Sequence, residues 1–539
     1  MKNLERTFLL LFLSAPALLL WSCQSSKTEP VPITTQEIES HIRFLSDDAL
    51  EGRGEGSPGL LKAAIYQEDF FRSFGLEPLF GSSYRQSFDL RGAQPDTAAS
   101  LEIFSPLIKL NPQLFEEFVV RSERDDIPEE TSAELVYCGY LIQAPERNWD
   151  DIKGTDLKGK VLLVEVNEPG NYPGGIFDGE DMTYYGRWTY KFEKAGELGA
   201  AGVFLIHNPK GAAYGWEVVR TNWSKEAFFL PDKKNPLFFQ GWVQESVADK
   251  ILEAAKLDRK ALVAQAETAD FKPVPLGLKA RVRQHHQFRT VTSQNVAAIL
   301  RGKHKDRRDQ SIILSAHYDH LGKDENLAGD KIYNGAVDNC SASATMLALA
   351  SYYAQRPQDL KVDLVFVSVT AEGQNLLGSD YFARHLPVPP SGVLADLNFE
   401  MTNVWGETED VYGIGAKHSD LDNILRQAAT NLGLRYIPER NGNLGFFFRS
   451  DQFSFSRAGI PAVWLHEGVV SKGEDKGLIL RKSEDYLKTK YHKVTDEMEK
   501  DWDLNGALQI ARWAQEIIKL LQESDKLPQF KETSSFLRK

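Results

Sequence analysis

The chain has 539 residues, of which 42% are hydrophobic and 26% are charged, proportions that are typical of folded globular proteins. Its length exceeds that of most single domains, so we expect at least two packed units. The formal net charge of −13 argues against a surface that follows nucleic-acid phosphates, and the sequence shows no basic recognition motif. We therefore predict no nucleic-acid partner.

Residues 1–23 have the pattern of an export signal. A short basic start leads into an apolar run that is shorter than a typical membrane-spanning helix. The run ends in LWSC, which resembles the bacterial lipobox, although Trp21 is bulkier than that pattern prefers. This predicts an exported protein, anchored to a bacterial membrane through a lipid on Cys23, at the periplasmic face or cell surface. An uncleaved N-terminal anchor is the alternative. Cys138 and Cys340 are predicted to be buried thiols.

Two helices are predicted next, before any strand. Thr34 and Glu37 have the spacing of a capping box, and apolar residues at helical intervals predict a helix over residues 35–46. A glycine-rich elbow over residues 52–59 then precedes a second helical pattern, in LLKAAIYQEDFFRSFGLEPL, which Gly75 ends.

The pattern of hydrophobic and turn-forming residues changes over residues 96–280. Short β-branched and apolar runs, broken by Gly, Pro and Asn, predict strands in AELVYCGYLI, GKVLLVEV and AAGVFLIHN, and YKFEKAGELGA has a helical pattern. This middle block has no cluster of His, Cys and acidic residues at metal-ligand spacing. We therefore predict that it has a structural or substrate-gating role.

Residues 281–525 alternate strands with helices, the pattern of an α/β domain whose mostly parallel sheet is covered on both faces. Apolar runs of strand length end at or near His317, Glu372, Glu400 and His466. Ligands of open α/β sheets bind beyond the carboxyl ends of the strands. These side chains are therefore predicted to converge on one crevice.

The same block supplies the side chains that a hydrolytic zinc requires, namely His nitrogens and carboxylate oxygens with one position left open for water. Asp319 follows His317 by two residues and is placed to orient its imidazole. Asp338 lies in a glycine-containing loop before a helix, where a carboxylate can face two metal ions. The remaining candidates are Glu372 as general base, Glu400 at the end of the next strand, and His492 near the C-terminal helix.

These candidates lie, in chain order, in the stretches SAHYDHLG, NGAVDNCSASA, TAEGQNLLGSDYF, LNFEM, SDQFSFSRAGIPA and YHKVTDE. The series resembles the co-catalytic zinc exopeptidases of metallopeptidase family 28, which include secreted bacterial aminopeptidases and glutamate carboxypeptidase II. The upstream LEGRGEGSPG and SQNVAAILRG extend the resemblance, which covers most of the mature chain. In the middle block, VYCGYLIQAP, GTDLKGKVLLV and KAGELGAAGVFLIHN resemble a protease-associated domain.

The resemblance implies an α/β/α sandwich with a mixed central sheet, like the zinc exopeptidases, and an inserted β-rich protease-associated domain above the cleft. It makes His317 and Asp338 ligands of a first zinc, together with Glu400, which is one methylene longer than the family's usual Asp. Asp338 then bridges to a second zinc that His492 also binds. Glu372 matches the family's acid/base glutamate.

One position departs from the family pattern. Gly373 stands where the family places the Glu that binds the second zinc, and Asn375 replaces a family glycine. Losing a carboxylate should weaken metal binding severely, unless another group replaces it. The candidate replacements are Gln374, His466, Glu467 and Asp451. We therefore predict one tight zinc site and a second that binds weakly or not at all.

The resulting hypothesis is a zinc-dependent exopeptidase, most simply an aminopeptidase, that cleaves terminal residues from peptide substrates with metal-activated water and Glu372 as general acid/base. Two alternatives remain open. Gly373 and Asn375 suggest a catalytically impaired, peptide-binding lipoprotein. Glutaminyl cyclases share the scaffold, but they keep the carboxylate that Gly373 lacks.

The predicted organisation has five parts. They are a lipoprotein-type signal peptide (1–23), a tether with N-terminal helices (24–95), the protease-associated domain (96–280), the catalytic domain (281–525) and a C-terminal tail (526–539).

Overall fold

The computed structural model describes residues 32–536, except residues 234, 308 and 533. The predicted export signal and its lipid anchor at Cys23 lie outside the described residues. Within the described part of the chain, no helix has the length and the apolar composition that crossing a membrane requires. The described chain is built around a larger and a smaller β-sheet.

The larger sheet is mixed, and its central strands are those predicted for residues 281–525. Four neighbouring strands run parallel, so their carboxyl ends lie at one edge of the sheet. In spatial order, the strands are Ala227–Phe229, Arg85–Ala93, Phe288–Leu300, Asp363–Val369, Ser311–His317, Val393–Asn398, Ala462–Glu467, Asp410–Ile414 and Arg435–Tyr436, with Glu77–Pro78 paired to Phe288–Leu300. This edge is where the candidate site forms.

Helices cover both faces of the larger sheet. Alternate residues of a strand therefore enter different cores, as Ile312 and Ile313 do. One layer contains Thr35–Leu45, Pro58–Ser73, Ala342–Ala354, Leu421–Asn431, Leu478–Thr489 and Asn505–Glu523, and the other contains Leu377–Arg384 and Gln452–Arg457. The predicted α/β/α sandwich with a mixed central sheet is confirmed.

The first helix shows why the local sequence folds as predicted. It spans Thr35–Leu45, and the Thr34 hydroxyl accepts a hydrogen bond from the backbone N–H of Glu37 at 3.2 Å. Ile38 and Ile42, one turn apart, are fully buried against the sheet layer. The cap and the apolar stripe therefore specify the same helix.

The middle block forms the smaller sheet. In spatial order, its strands are Ile108–Leu110, Ser100–Ser105, Val274–Arg283, Glu130–Tyr137, Val161–Glu165, Gly202–His207, Phe239–Gln244 and Phe118–Arg121. Its helices are Trp188–Glu197, Pro209–Ala212, Trp216–Trp223, Glu245–Ala254 and Arg259–Ala266. Two short antiparallel pairs complete the strands. One lies in the middle block, between Gln143–Ala144 and Trp149–Asp150. The other lies in the catalytic block, between Gly322–Lys323 and Ile332–Tyr333. The assignment of this block as a protease-associated domain stays a prediction.

One segment of the middle block leaves the smaller sheet. Ala227–Phe229 pairs antiparallel with Arg85–Ala93 at the edge of the larger sheet. A strand this short carries no periodicity that a sequence could reveal. The middle block is therefore joined to the larger sheet by backbone hydrogen bonds as well as by packing.

The glycine-rich elbow supports the loops that carry candidate ligands. Arg53 is 1% exposed, and its guanidinium donates hydrogen bonds to the backbone carbonyls of Tyr318 at 2.8 Å and Asn334 at 2.7 Å. The preceding Gly52 has a φ of +64°, and a Cβ there would lie 2.3 Å from the carbonyl oxygen of Gly322. The close approach therefore requires a glycine at position 52.

Candidate metal centre

The carboxyl ends of two parallel strands and one loop bring three predicted ligands together. His317 is the last residue of its strand, Glu400 follows the next strand by two residues, and Asp338 lies in the turn before helix Ala342–Ala354. All three side chains are buried, and one ligand atom from each lies within 4.8 Å of the others. They form a compact group of one imidazole and two carboxylates.

The spacing within this group fits a metal ion. His317 Nε2 lies 3.3 Å from Asp338 Oδ1 and 3.3 Å from Glu400 Oε1. A tetrahedral zinc with bonds of about 2.0–2.1 Å places its ligand atoms roughly 3.3 Å apart. The two distances from His317 therefore fit a tetrahedral zinc site, and Asp338 and Glu400 lie within 4.8 Å of each other.

Asp319 orients the imidazole of His317 and also contacts Glu372. His317 Nδ1 lies 3.2 Å from the backbone oxygen of Asp319 and 3.5 Å from its carboxylate. Because both neighbours are acceptors, Nδ1 carries the hydrogen and Nε2 remains as the ligand atom. The Asp319 carboxylate also accepts a hydrogen bond from the backbone N–H of Glu372 at 3.1 Å. One side chain thus aligns the candidate ligand with the candidate base.

Polar groups that the sequence did not single out hold the two carboxylate ligands. The Ser450 hydroxyl donates to Glu400 Oε2 at 2.8 Å. The carboxylate of Asp496 accepts hydrogen bonds from the backbone N–H groups of Val337 and Asp338 at 3.0 and 3.1 Å. Ser450 and Asp496 lie in the quoted stretches SDQFSFSRAGIPA and YHKVTDE, but their partners lie far away in sequence, so their roles could not be read from the local pattern alone.

Ser450→Ala is expected to weaken zinc binding by about 10- to 100-fold, because Glu400 loses the hydroxyl that fixes its second oxygen. Titration against a competing chelator measures the affinity. Ser456→Ala is the matched control, since the hydroxyl of Ser456 is buried and has no partner among the described residues. Equal zinc affinity in Ser450→Ala and the unchanged protein would show that Glu400 needs no such support.

His492 approaches the opposite oxygen of Asp338. Its Nε2 lies 3.2 Å from Asp338 Oδ2, and its ring stacks on Tyr491 with the centroids 3.8 Å apart. Asp338 therefore faces an imidazole with each carboxylate oxygen, the arrangement expected of a bridging ligand. A Cβ built on Gly373 would meet no atom within 4 Å. There is therefore room for a side chain at the position where the family places the carboxylate of the second site.

The candidate replacements for that carboxylate are engaged elsewhere or lie outside the metal group. The side-chain oxygen of Gln374 accepts a hydrogen bond from the backbone N–H of Phe228 at 3.3 Å. His466 Nδ1 lies 2.7 Å from the backbone oxygen of Glu467, and the described contacts do not bring this ring into the metal group. Asp451 and Glu467 also lie outside the group formed by His317, Asp338 and Glu400 among the described residues. The predicted convergence thus holds for three strand ends and does not extend to His466.

His320 is a neighbour of the site that the motifs did not single out. Its Nδ1 lies 3.9 Å from Asp338 Oδ2, and its ring centroid is 5.9 Å from that of His492. Burial lowers the pKa of His320 to about 3, so the ring is neutral, and its Nε2 has no partner among the described residues. Its place three residues after His317 was the signal that could have identified it.

Glu372 stands beside the metal group without belonging to it. Burial raises the pKa of Glu372 well above its ordinary value, an effect that His317 opposes and Glu400 reinforces. The side chain also lines a cavity of about 570 Å³. Gly373 and His492 line the same cavity, and Arg187 and other residues of the middle block form part of its wall. The space is large enough for a short peptide.

Comparisons with known proteins agree with this architecture. Residues 295–517 match the model of Peptidase family M28. An aminopeptidase from Aneurinibacillus sp. strain AM-1 has a similar structure, with a TM-score of 0.51 and 20% identity over 90% of this chain and 93% of that chain. BSAP, a zinc aminopeptidase from Bacillus subtilis, matches with a TM-score of 0.39 and 17% identity over 90% and 95% of the two chains. No curated protein matches the chain.

Proposed function

We propose that this chain is a metallopeptidase of family M28 and, more narrowly, a zinc-dependent exopeptidase, most simply an aminopeptidase. The match of residues 295–517 to the model of Peptidase family M28 supports the broader part of the proposal. The observation that carries the proposal is the 3.3 Å spacing of His317 from both Asp338 and Glu400. These are the distances that a tetrahedral zinc requires, and Glu372 stands beside the group at the wall of a peptide-sized cavity.

Each residue then has a defined task. His317, Asp338 and Glu400 would hold the metal ion. When bound, zinc supplies Lewis-acid activation of water and of the scissile carbonyl. Glu372 takes a proton from the attacking water and returns it to the leaving amine. Asp319 contacts both the imidazole of His317 and the backbone N–H of Glu372, and it therefore fixes their relative positions.

The second metal position has Asp338 and His492 but lacks a carboxylate at residue 373. Two ligands are fewer than a tight zinc site uses. We infer that one zinc is bound tightly and supports turnover, whereas a second ion is held weakly. The departure at Gly373 therefore leaves the catalytic group itself intact.

Removing zinc with a chelator is expected to lower peptide hydrolysis by roughly a thousandfold or more, because a catalytic metal contributes several kcal/mol to the barrier. Adding about one zinc per chain should restore the rate, since the group of His317, Asp338 and Glu400 is complete. Hydrolysis of a short peptide before and after dialysis measures the effect, with chelator-free dialysis as the control. Full activity in the metal-free protein would contradict the proposal.

A further inference from the structure

Arginine side chains line the cavity without acidic partners. Among the described residues, the guanidinium groups of Arg121, Arg187 and Arg449 form no ion pair and no hydrogen bond. The Nε atoms of Arg121 and Arg449 are buried and unsatisfied. A buried guanidinium nitrogen without a partner is costly, so its position at a cavity wall indicates a site that an anion can bind.

The acidic residues of the same wall do not pair with Arg187 or Arg449. Three of them pair with other basic side chains, namely Glu193 with Arg457 (3.0 Å), Glu197 with Lys194 (2.5 Å) and Asp380 with Arg384 (3.0 Å). Glu123 accepts a hydrogen bond from Gln240 (2.8 Å), and its charge acts on Arg121 but not through a direct ion pair. Glu372 belongs to the proposed catalytic group. The cavity therefore has positive charge that the protein leaves unpaired.

Two of these arginines come from different parts of the fold and line the same cavity. Arg187 precedes helix Trp188–Glu197 of the middle block, whereas Arg449 directly precedes Ser450, which holds Glu400. Burial lowers the pKa of Arg187 to about 10, and the nearby charge of Arg449 contributes to the lowering. Two positive charges that line one cavity can together bind an anion.

Arg121 is positioned by aromatic rings. Its guanidinium carbon lies 3.9 Å from the ring centroid of Trp223 and 5.5 Å from that of Phe229. Such contacts fix the plane of the side chain without neutralising it. A planar guanidinium held in this way can bind a carboxylate through two parallel hydrogen bonds.

We propose that Arg187 and Arg449, with Arg121, bind a carboxylate of the peptide in the cavity and so make this enzyme selective for anionic peptides. The inference rests on the proposed function for its substrate class. The carboxylate can come from the C-terminus of a short peptide or from an acidic side chain. Both sources offer the same planar anion, and the experiment separates them.

The test measures binding rather than turnover. Zinc-loaded protein carrying Glu372→Gln is titrated calorimetrically with Ala-Ala-Ala and its C-terminal amide, and then with Ala-Glu-Ala-amide and Ala-Gln-Ala-amide. We expect the anionic member of at least one pair to bind about tenfold more tightly or better, because charge-assisted hydrogen bonds are stronger than neutral ones. The first pair reports a C-terminal carboxylate, and the second reports a side-chain carboxylate.

Adding Arg187→Gln should reduce that preference to about twofold or less, and Arg449→Gln should act in the same direction. Lys233→Gln is the matched control, since Lys233 lines the same cavity but its side chain is 44% exposed, so the preference should persist. A preference below about twofold in both pairs, or one that survives Arg187→Gln, would overturn the proposal. Calorimetry detects binding whether or not the unmodified protein hydrolyses peptides, so this failure is separable from failure of the peptidase function.

Discussion

Replacing Glu372 with Gln is expected to lower kcat for peptide hydrolysis by at least about 10²- to 10³-fold, while zinc affinity stays nearly unchanged. Glutamine keeps the size of the side chain but cannot accept the proton of the attacking water. Glu372 lies outside the group of His317, Asp338 and Glu400, and it contacts Asp319 through its backbone N–H. The substitution should therefore remove proton transfer and preserve the metal site.

Steady-state hydrolysis of a short peptide and a zinc titration on the same preparation measure both quantities. Glu197→Gln makes the same chemical change at a cavity residue whose side chain is 64% exposed, so it should change kcat by less than about twofold. Wild-type turnover by Glu372→Gln would exclude Glu372 as the base. Absence of turnover in the unmodified zinc-loaded protein would favour the peptide-binding alternative.

Gly373→Glu is expected to create a second tight zinc site and raise the tightly bound metal from about one to about two ions per chain. The added carboxylate would join Asp338 and His492, whose facing atoms are 3.2 Å apart. Because a Cβ at residue 373 meets nothing within 4 Å, the new side chain has room. The gain in affinity comes from the third ligand and its negative charge.

Metal analysis after gel filtration counts the ions that remain bound. Gly373→Gln is the matched control, because it adds the same bulk with a neutral amide that binds divalent cations poorly. A single tight ion in Gly373→Glu would mean that residue 373 does not face the second position. Two tight ions in the unmodified protein would contradict the one-site interpretation and point to the neighbouring His320 as a further ligand.

Local patterns in the sequence were sufficient for the fold and for much of the site. Strand-length apolar runs and helical periodicity predicted the α/β/α layers. Three site residues, His317, Glu372 and Glu400, lie at or just beyond the carboxyl ends of parallel strands, where the geometry of an open sheet brings side chains together. For such residues, position along one strand determines position in space.

The other parts of the site depend on packing between distant segments. Ser450 contacts Glu400 across 50 residues of sequence. Arg187 of the middle block and Arg449 of the catalytic block line the same cavity. A serine or arginine in a loop has no periodicity that marks its partner. His466 illustrates the converse, because it has the strand-end pattern yet stacks on Tyr412 and stays outside the metal group.

The most direct measurement is mass spectrometry of the products from a mixed peptide pool incubated with the zinc-loaded protein. The proposed aminopeptidase activity predicts stepwise loss of single residues from the amino termini, with the internal bonds of longer peptides left intact. Recovery of the pool unchanged, or cleavage at internal bonds, would contradict an exopeptidase built on His317, Asp338, Glu372 and Glu400.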